Sequence, residues 1–278
     1  MIPRLKIWFK RTKRFIGSFY FINKNKLLGR SFVPHPRKRL FIEPISYCNL
    51  ACKFCTYPKN LHPKTVMDED LFRSSIDQAA AMGFECIVLT PINGEIFMDK
   101  NAIERLRYIE NSVIKTYQFY TNFIGANNVA IKSLFALKKI SYLEVSIYGH
   151  DFESFCNITG RGKEQYDRLV ENLTTLESLF SQKPPGLNIC LSIRTYRSFQ
   201  FNKGSQNELL EIIEKLRQAG VQIGLSSQVD NWGGDIGESD VADIEMDLID
   251  GKHLYKKGPC GLPFDSVQIT AEGKVNAC

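Results

Sequence analysis

Segments typical of strands alternate with segments typical of helices along most of this 278-residue chain. The predicted strands are Phe41–Ile45, Cys86–Thr90, Thr116–Thr121, Tyr142–Ile147, Leu187–Arg194 and Gln222–Ser226. These runs are short, rich in β-branched and aromatic residues, and apolar on both faces, as buried parallel strands are. Since parallel neighbours need right-handed crossovers, the six repeats predict an α/β fold, a parallel sheet curled into a partial (β/α)6, TIM-like barrel.

Residues that favour helix ends mark where the helices between these strands begin and stop. Asp68 can cap a helix that runs to Met82 and ends at Gly83. Residues 163–180 and 207–218 repeat apolar side chains at i, i+3 and i+4 spacing, which is typical of helices packed on one face.

Polar residues gather where the predicted strands end. Cys48, Asn93, Asn122, Ser146 and Arg194 lie at or just after the carboxyl end of a strand. In β/α barrels these ends meet at one rim, and active sites lie there. The sequence therefore predicts that the five residues share one site.

Three of the eight cysteines, Cys48, Cys52 and Cys55, form a C-x3-C-x2-C run. Thiolates this close in sequence can converge on one metal centre from one loop. A [4Fe–4S] cluster normally takes four thiolates, so three ligands would leave one iron open. A structural zinc loop is the alternative, although structural zinc usually has four ligands in two separated pairs.

Cys86, Cys156 and Cys190 have no partner at ligand spacing and are interpreted as buried free thiols. No apolar run reaches the roughly 18–20 residues that span a bilayer, and no cleaved export signal is predicted. We therefore expect a cytoplasmic protein whose cysteines are thiols or metal ligands rather than disulfides.

The cysteine run resembles that of the radical S-adenosylmethionine (radical SAM) superfamily. It follows a predicted strand, and an aromatic residue, Phe54, precedes its last cysteine. Three later segments are similar to superfamily motifs in the same order: Ile87–Glu95 to the GGE strand, Tyr120–Asn122 to TNG, and Leu143–Gly149 to the fourth strand. The resemblance covers about residues 39–230. Asn93 departs from the pattern by replacing the first Gly of GGE, and Ile96 stands where Pro is common.

The resemblance implies a [4Fe–4S] cluster held by Cys48, Cys52 and Cys55, with SAM on the fourth iron. It also implies SAM-binding roles for a further set: Phe54, Asn93, Gly94, Glu95, Ser146 and Arg194. With an electron from a donor such as a flavodoxin or ferredoxin, the cluster would cleave SAM to a 5′-deoxyadenosyl radical. That radical would abstract hydrogen from a small-molecule or peptide substrate that the sequence does not identify.

Simpler roles remain open for some of these residues. Glu95 can cap the next helix, Ser146 can simply end its strand, and Arg197 competes with Arg194 for the SAM carboxylate. Three more side chains near the rim can touch substrate, namely Tyr57, Tyr148 and His150.

The end of the chain is similar to the opening of the auxiliary-cluster domain called SPASM, or its shorter twitch relative. Cys260, Gly273 and Cys278 fit that opening pattern, C-x(9–15)-G-x4-C, and Asn231–Gly234 resembles the linker before such domains. The resemblance implies one or two auxiliary [4Fe–4S] clusters beginning with these cysteines. Because two cysteines cannot hold a cluster alone, we expect the natural chain to continue. The alternative is that both cysteines are incidental.

Charge is unevenly distributed. Residues 1–42 contain twelve Lys and Arg and no acid, and the remaining residues carry a net charge of −6. Leu5, Trp8 and Phe9 fall near one face of a predicted helix with basic residues around it. Such a basic amphipathic helix can lie on the inner face of an anionic membrane; the alternative is packing across the barrel. No nucleic-acid binding is expected, because every chemical motif lies in the acidic part.

Three segments are therefore predicted: a basic helical arm over 1–38, a radical SAM partial barrel over 39–230, and a linker with the start of a SPASM/twitch-type region over 231–278. The first hypothesis is a radical SAM enzyme of oxidoreductase or maturase type acting on a peptide, protein or sugar. The second is a non-catalytic metal-binding or membrane-docking protein on a degenerate barrel, motivated by Asn93. A ferredoxin-like carrier is disfavoured, since a carrier needs no six-repeat barrel and uses four ligands.

Overall fold

The computed structural model describes residues 16–17, 19–20, 23–24, 26–29, 39–59, 63–90, 93–201, 207–249 and 266–276. Cys260, Cys278 and the aromatic residues Trp8 and Phe9 lie outside these ranges. In the arm, residues 16–17, 19–20, 23–24 and 26–27 are helical. The three-segment division and the membrane contact of the arm stay predictions. Within the described residues, no helix is long and apolar enough to cross a bilayer.

One sheet of eight strands organises the fold. The described residues contain ten strands, eight in this sheet and two in a separate pair. They are β1 (Arg39–Ile42), β2 (Cys86–Leu89), β3 (Thr116–Thr121), β4 (Ile140–Tyr148), β5 (Asn188–Arg194), β6 (Gln222–Ser226), β7 (Gln228–Asp230), β8 (Asp247–Ile249), β9 (Ser266–Ile269) and β10 (Val275–Asn276). The sheet order is β10-β9-β1-β2-β3-β4-β5-β6, and every pairing is parallel except β9 with β10. The strands β7 and β8 form a separate parallel pair.

Helices connect these strands and cover one face of the sheet. They are α1 (Glu69–Ala81), α2 (Ala102–Asn111), α3 (Asn128–Phe135), α4 (Phe152–Thr159), α5 (Lys163–Leu179), α6 (Glu208–Gln218) and α7 (Glu238–Val241). Asp68 caps α1 by accepting from the backbone of Asp70 and Leu71, and Asn207 caps α6 through Leu210. The predicted α/β fold, consistent with a partial barrel, is confirmed.

Burial alternates along the central strands, so the two faces of the sheet differ. On β3, Tyr117 and Phe119 are fully buried in the apolar core, whereas Thr116, Gln118 and Tyr120, which alternate with them, are half-buried. β5 follows the same alternation. The prediction that the strands are apolar on both faces is therefore wrong for the concave face. That face has polar side chains because, among the described residues, the side chains there keep contact with solvent instead of packing under a helix.

The concave face is lined by hydrogen-bonding side chains from β3 to β6. Register places Tyr120 beside Glu144, Glu144 beside Cys190, and Ser146 beside Ser192. Cys86, Cys156 and Cys190 are free thiols, as expected, but all three are half-buried rather than buried. The concave face therefore has a set of half-buried polar side chains on neighbouring strands.

Candidate active site

A cavity of about 440 Å³ lies at the carboxyl ends of the central strands. Its wall includes all nine residues predicted for the cluster and for SAM: Cys48, Cys52, Phe54, Cys55, Asn93, Gly94, Glu95, Ser146 and Arg194. Further lining comes from Leu50, Tyr57, Thr90, Tyr120, Thr121, Asn122, Glu144, Tyr148, Gln228, Val229, Asp230 and Trp232. Six separate segments of the chain thus meet at one place, as the strand-end argument predicted.

The three cysteines lie on the loop that follows β1. The Cys48 Sγ accepts from the Leu50 backbone at 3.4 Å and from the Asn122 amide at 3.5 Å. The Cys55 Sγ accepts from the Tyr57 backbone at 3.4 Å. These weak donors partly compensate for the burial of the sulfur atoms.

Burial dominates the titration of the three thiols. It raises the pKa of Cys48 to about 12 and also raises the pKa values of Cys52 and Cys55. The pKa of Cys52 is raised further by the two neighbouring thiols, Cys48 and Cys55. Three buried thiols whose ionisation is disfavoured suit a positively charged centre, because a bound metal stabilises the thiolate form. Among the residues that the structure describes, no group of three or more His, Cys, Asp or Glu side chains has an arrangement that could hold a single metal ion.

The cysteine loop is anchored on α4 and on the turn that follows it. The backbone amides of Ala51 and Lys53 donate to the carbonyls of Thr159 and Ile158 at 2.9 and 3.0 Å. Arg161 Nε donates to the Asn49 carbonyl at 2.6 Å. The loop therefore has fixed backbone contacts on both sides of Cys52.

Glu95 is buried, and both of its carboxylate oxygens accept hydrogen bonds. Oε1 accepts from the Thr121 hydroxyl at 2.5 Å and from the Phe97 backbone at 3.1 Å, and Oε2 accepts from the Asn122 backbone at 2.6 Å. Burial raises the pKa of Glu95 to about 7, although all three donors favour the charged form. The residue caps the 3-10 turn Ile96–Met98 and lines the cavity, so the cap and the SAM-binding role are compatible.

Asn93, the residue that departs from the GGE pattern, is tied to the cysteine loop. The Thr56 hydroxyl donates to Asn93 Oδ1 at 2.6 Å, and both residues are buried. The amide that replaces glycine here adds a link between the loop after β2 and the loop after β1.

Arg194 faces the cavity, whereas Arg197 does not. The Arg194 guanidinium donates to the Ser146 hydroxyl at 3.4 Å and lies 4.0 Å from the Glu144 carboxylate. Arg197 pairs with Asp247 at 2.5 Å outside the cavity wall. Of the two candidates, the geometry favours Arg194 for an anionic group in the cavity.

Three rim residues were predicted as possible substrate contacts. Tyr57 and Tyr148 line the cavity, and the Tyr148 ring packs 5.3 Å from that of Phe54. His150 is not part of the wall. Its Nδ1 lies 2.7 Å from the Thr195 hydroxyl, and its ring stacks 4.2 Å from that of Phe199.

Several lining residues were given no individual role by the sequence analysis. Asn122 was placed at a strand end but given no role, although its amide also bonds Asn49 at 2.7 Å. Glu144 could have been found from its position two residues before Ser146, on the same face of β4. Asp230 and Trp232 follow β6, and no local pattern indicates that they return to the cavity.

Comparison with known families identifies the class. A family model described as the radical SAM superfamily matches residues 42–184, just over half of the chain. The chain belongs to the radical SAM superfamily. Enzymes of this superfamily bind a [4Fe–4S] cluster and SAM and perform SAM-dependent radical chemistry.

Solved structures share the fold at low sequence identity. SuiB from Streptococcus suis bound to precursor peptide SuiA has a TM-score of 0.63 and 14% identity, covering 96% of this chain and 64% of SuiB. SuiB bound to S-adenosylmethionine has a TM-score of 0.57 at 14% identity, covering 96% and 63%. Native anSMEcpe with bound AdoMet has a TM-score of 0.50 at 15% identity, covering 86% and 74%.

The chain thus spans about 64% of the length of SuiB, and likeness at such identities concerns the fold alone. A search of curated protein sequences gave no match.

Proposed function

We propose that this protein holds a [4Fe–4S] cluster through Cys48, Cys52 and Cys55 and cleaves SAM reductively in the adjoining cavity. The observation that supports this most directly is the meeting of all nine predicted residues on one cavity wall. The donor set fits the group, since three thiols on one loop leave the fourth iron for a ligand that is not protein. When bound, the cluster and SAM supply a 5′-deoxyadenosyl radical for hydrogen abstraction.

The residues of this chain hold and orient the cofactor. Asn122 donates to Cys48 and orients its sulfur. Glu95, fixed by three donors, presents a carboxylate to the SAM ammonium. Arg194 pairs with the SAM carboxylate in a charge-assisted contact, and Ser146 reaches the ribose or methionine end.

Exclusion of water is the other task of the cavity. Phe54 and Tyr148 pack against each other on its wall, and Phe54 is buried. Phe54 flanks the adenine largely through its backbone. Gly94 leaves room for close approach of the chain to SAM.

The substrate is proposed to be a peptide or another polar molecule. The concave face of the sheet has hydroxyl, amide and carboxylate side chains such as Gln118, Glu144 and Ser192, and Glu144 among them lines the cavity. Such a surface suits a ligand that is rich in hydrogen-bonding groups. SuiB, which shares the fold, was solved with a precursor peptide, and this favours a peptide over a sugar.

An auxiliary cluster that includes Cys260 and Cys278, and a flavodoxin or ferredoxin as electron donor, are parts of the same proposal. An auxiliary cluster would exchange an electron with the substrate.

Cysteine substitution tests the proposal. Wild-type protein reconstituted anaerobically with iron and sulfide is expected to absorb near 400 nm and to form 5′-deoxyadenosine from SAM on reduction. Cys52→Ala should abolish that product, while Cys86→Ala, which changes a thiol outside the cavity wall, should retain it. Absence of bound iron, or equal activity of the two variants, would contradict the proposal; product formation would reject the non-catalytic alternative.

A further inference from the structure

The tight turn Asn231–Gly234 brings an aromatic side chain to the cysteine loop. Trp232 has φ 51°, and Gly233 and Gly234 have φ 71° and 110°. Three successive residues in the left-handed region are tolerated because two of them are glycines. Trp232 itself lacks that freedom, so its conformation is imposed by contacts elsewhere.

Those contacts point to the loop. The Trp232 indole Nε1 donates to the Phe54 carbonyl at 2.9 Å, across 178 positions of sequence. Its backbone amide donates to the Asp230 carboxylate at 2.6 Å, which fixes the base of the turn. An indole nitrogen can only donate, and here it holds the peptide group that joins Phe54 to Cys55.

Two lysines of the cysteine loop hold the same segment from outside. Lys59 donates to the Asp235 carbonyl at 2.5 Å and pairs with Asp240 at 2.9 Å. Lys53 pairs with Asp243 at 2.5 Å. Because these ion pairs are partly exposed, each contributes little to stability by itself. Together with the indole they connect the loop to residues 232–243 at three points.

From these contacts we infer that Trp232 is a positioning residue for the SAM site, an inference that rests on the proposed function. By fixing the peptide before Cys55, the indole sets the position of the third thiol and of the Phe54 backbone against SAM. A residue needed only for packing would affect stability alone. A positioning residue changes how the reduced cluster responds to SAM.

The test compares three full-length proteins, reconstituted with iron and sulfide. They are the wild type, Trp232→Phe, and Tyr108→Phe. The Phe variant at 232 keeps a ring and loses the N–H donor. The control likewise loses one donor, the Tyr108 hydroxyl, which on α2 donates to the Asp77 carboxylate on α1, outside the cavity wall. Iron content, melting temperature and the EPR spectrum of the reduced cluster titrated with SAM are measured for each.

We expect Trp232→Phe to match the control in iron content and melting temperature. The SAM concentration at the half-maximal spectral change should rise about three- to tenfold, the effect of one lost hydrogen bond. An unchanged midpoint would overturn the inference. If Trp232→Phe melts below the control, a further variant, Lys59→Met, is measured, because it keeps the indole and loses only an outer contact of the loop. Its SAM midpoint should also rise above that of the wild type, but by less than the midpoint of Trp232→Phe. An unchanged midpoint for Lys59→Met would overturn the inference. Wild-type protein without iron or without a response to SAM would contradict the proposed function instead.

Discussion

The two faces of the central sheet have different chemistry and different tasks. The face under the helices is continuous apolar core, with residues such as Phe119 and Leu143 excluded from solvent. The concave face presents half-buried polar side chains such as Gln118 and Glu144 on the same strands. The first face provides the free energy of folding, and the second is free to bind a ligand. Substitutions at adjacent positions of one strand should therefore differ strongly in effect.

The largest expected effect separates Phe119 from Gln118. Phe119→Ala should lower the free energy of unfolding by about 3–5 kcal/mol, because it leaves a cavity in the core. Gln118→Ala, its neighbour on the concave face, should cost less than about 1 kcal/mol. Urea denaturation measures both, and equal losses would break the comparison between the faces.

A smaller effect is expected from the titration of Glu95. Burial raises its pKa from 4.5 to about 7 in the folded protein, so the folded state binds the proton more tightly than the unfolded state. Stability should therefore fall as pH rises from 4.5 to 7, by on the order of 2–3 kcal/mol, and level off above.

The Glu95→Gln variant lacks this titration. In cluster-free protein, the stability of the wild type relative to Glu95→Gln should decline across that pH window. A constant difference between the two proteins would show that the pKa of Glu95 is the same in the folded and unfolded states.

Arginine substitution compares the cavity with the outer surface. Arg194→Met should reduce SAM cleavage about tenfold or more, since a charge-assisted contact contributes about 1.5–3 kcal/mol. Arg197→Met loses only an exposed pair with Asp247 and should cleave SAM at the wild-type rate. Quantifying 5′-deoxyadenosine under reducing conditions measures both, and a larger loss at Arg197 would reverse the assignment.

The smallest effect on catalysis is expected from removal of the basic arm. A chain lacking residues 1–36 should cleave SAM at the wild-type rate, because every proposed cofactor contact lies later in the sequence. Its co-sedimentation with anionic vesicles should fall, because an amphipathic helix binds them through apolar and basic residues together. Unchanged co-sedimentation would favour packing of the arm on the barrel.

Much of the fold could be predicted from the sequence because its signals are local. β3 and β6 have the predicted bounds, and Asp68 and Asn207 cap the helices that they precede. The polarity of the concave face was missed because Tyr120, Tyr142 and Cys190 were counted as apolar. On the sheet their hydroxyl and thiol groups face the open side, a distinction that depends on which face the helices cover.

Long-range contacts account for the rest. The pairing of β9 with β1 joins short segments more than 220 residues apart, and a four-residue strand gives little periodicity to detect. The bond between Trp232 and Phe54 likewise exists only in the folded chain. The predicted site residues were found because superfamily motifs and strand ends pointed to them. Asp230 had neither signal, and Trp232 was noted only within Asn231–Gly234, a segment that resembles a linker and predicts no place in the site.

The place of β1 in the sheet has a dynamic consequence for the cysteine loop. β1 is hydrogen-bonded to β2 on one side and to β9 on the other, and the Glu43 amide extends the second ladder to Ile269 at 2.9 Å. Edge strands such as β6 and β10 open locally far more readily than strands paired on both sides. Amide hydrogens of β1 should thus exchange with solvent late. The cysteine loop, which begins just after β1, therefore follows a strand that does not open when the edge strands open locally.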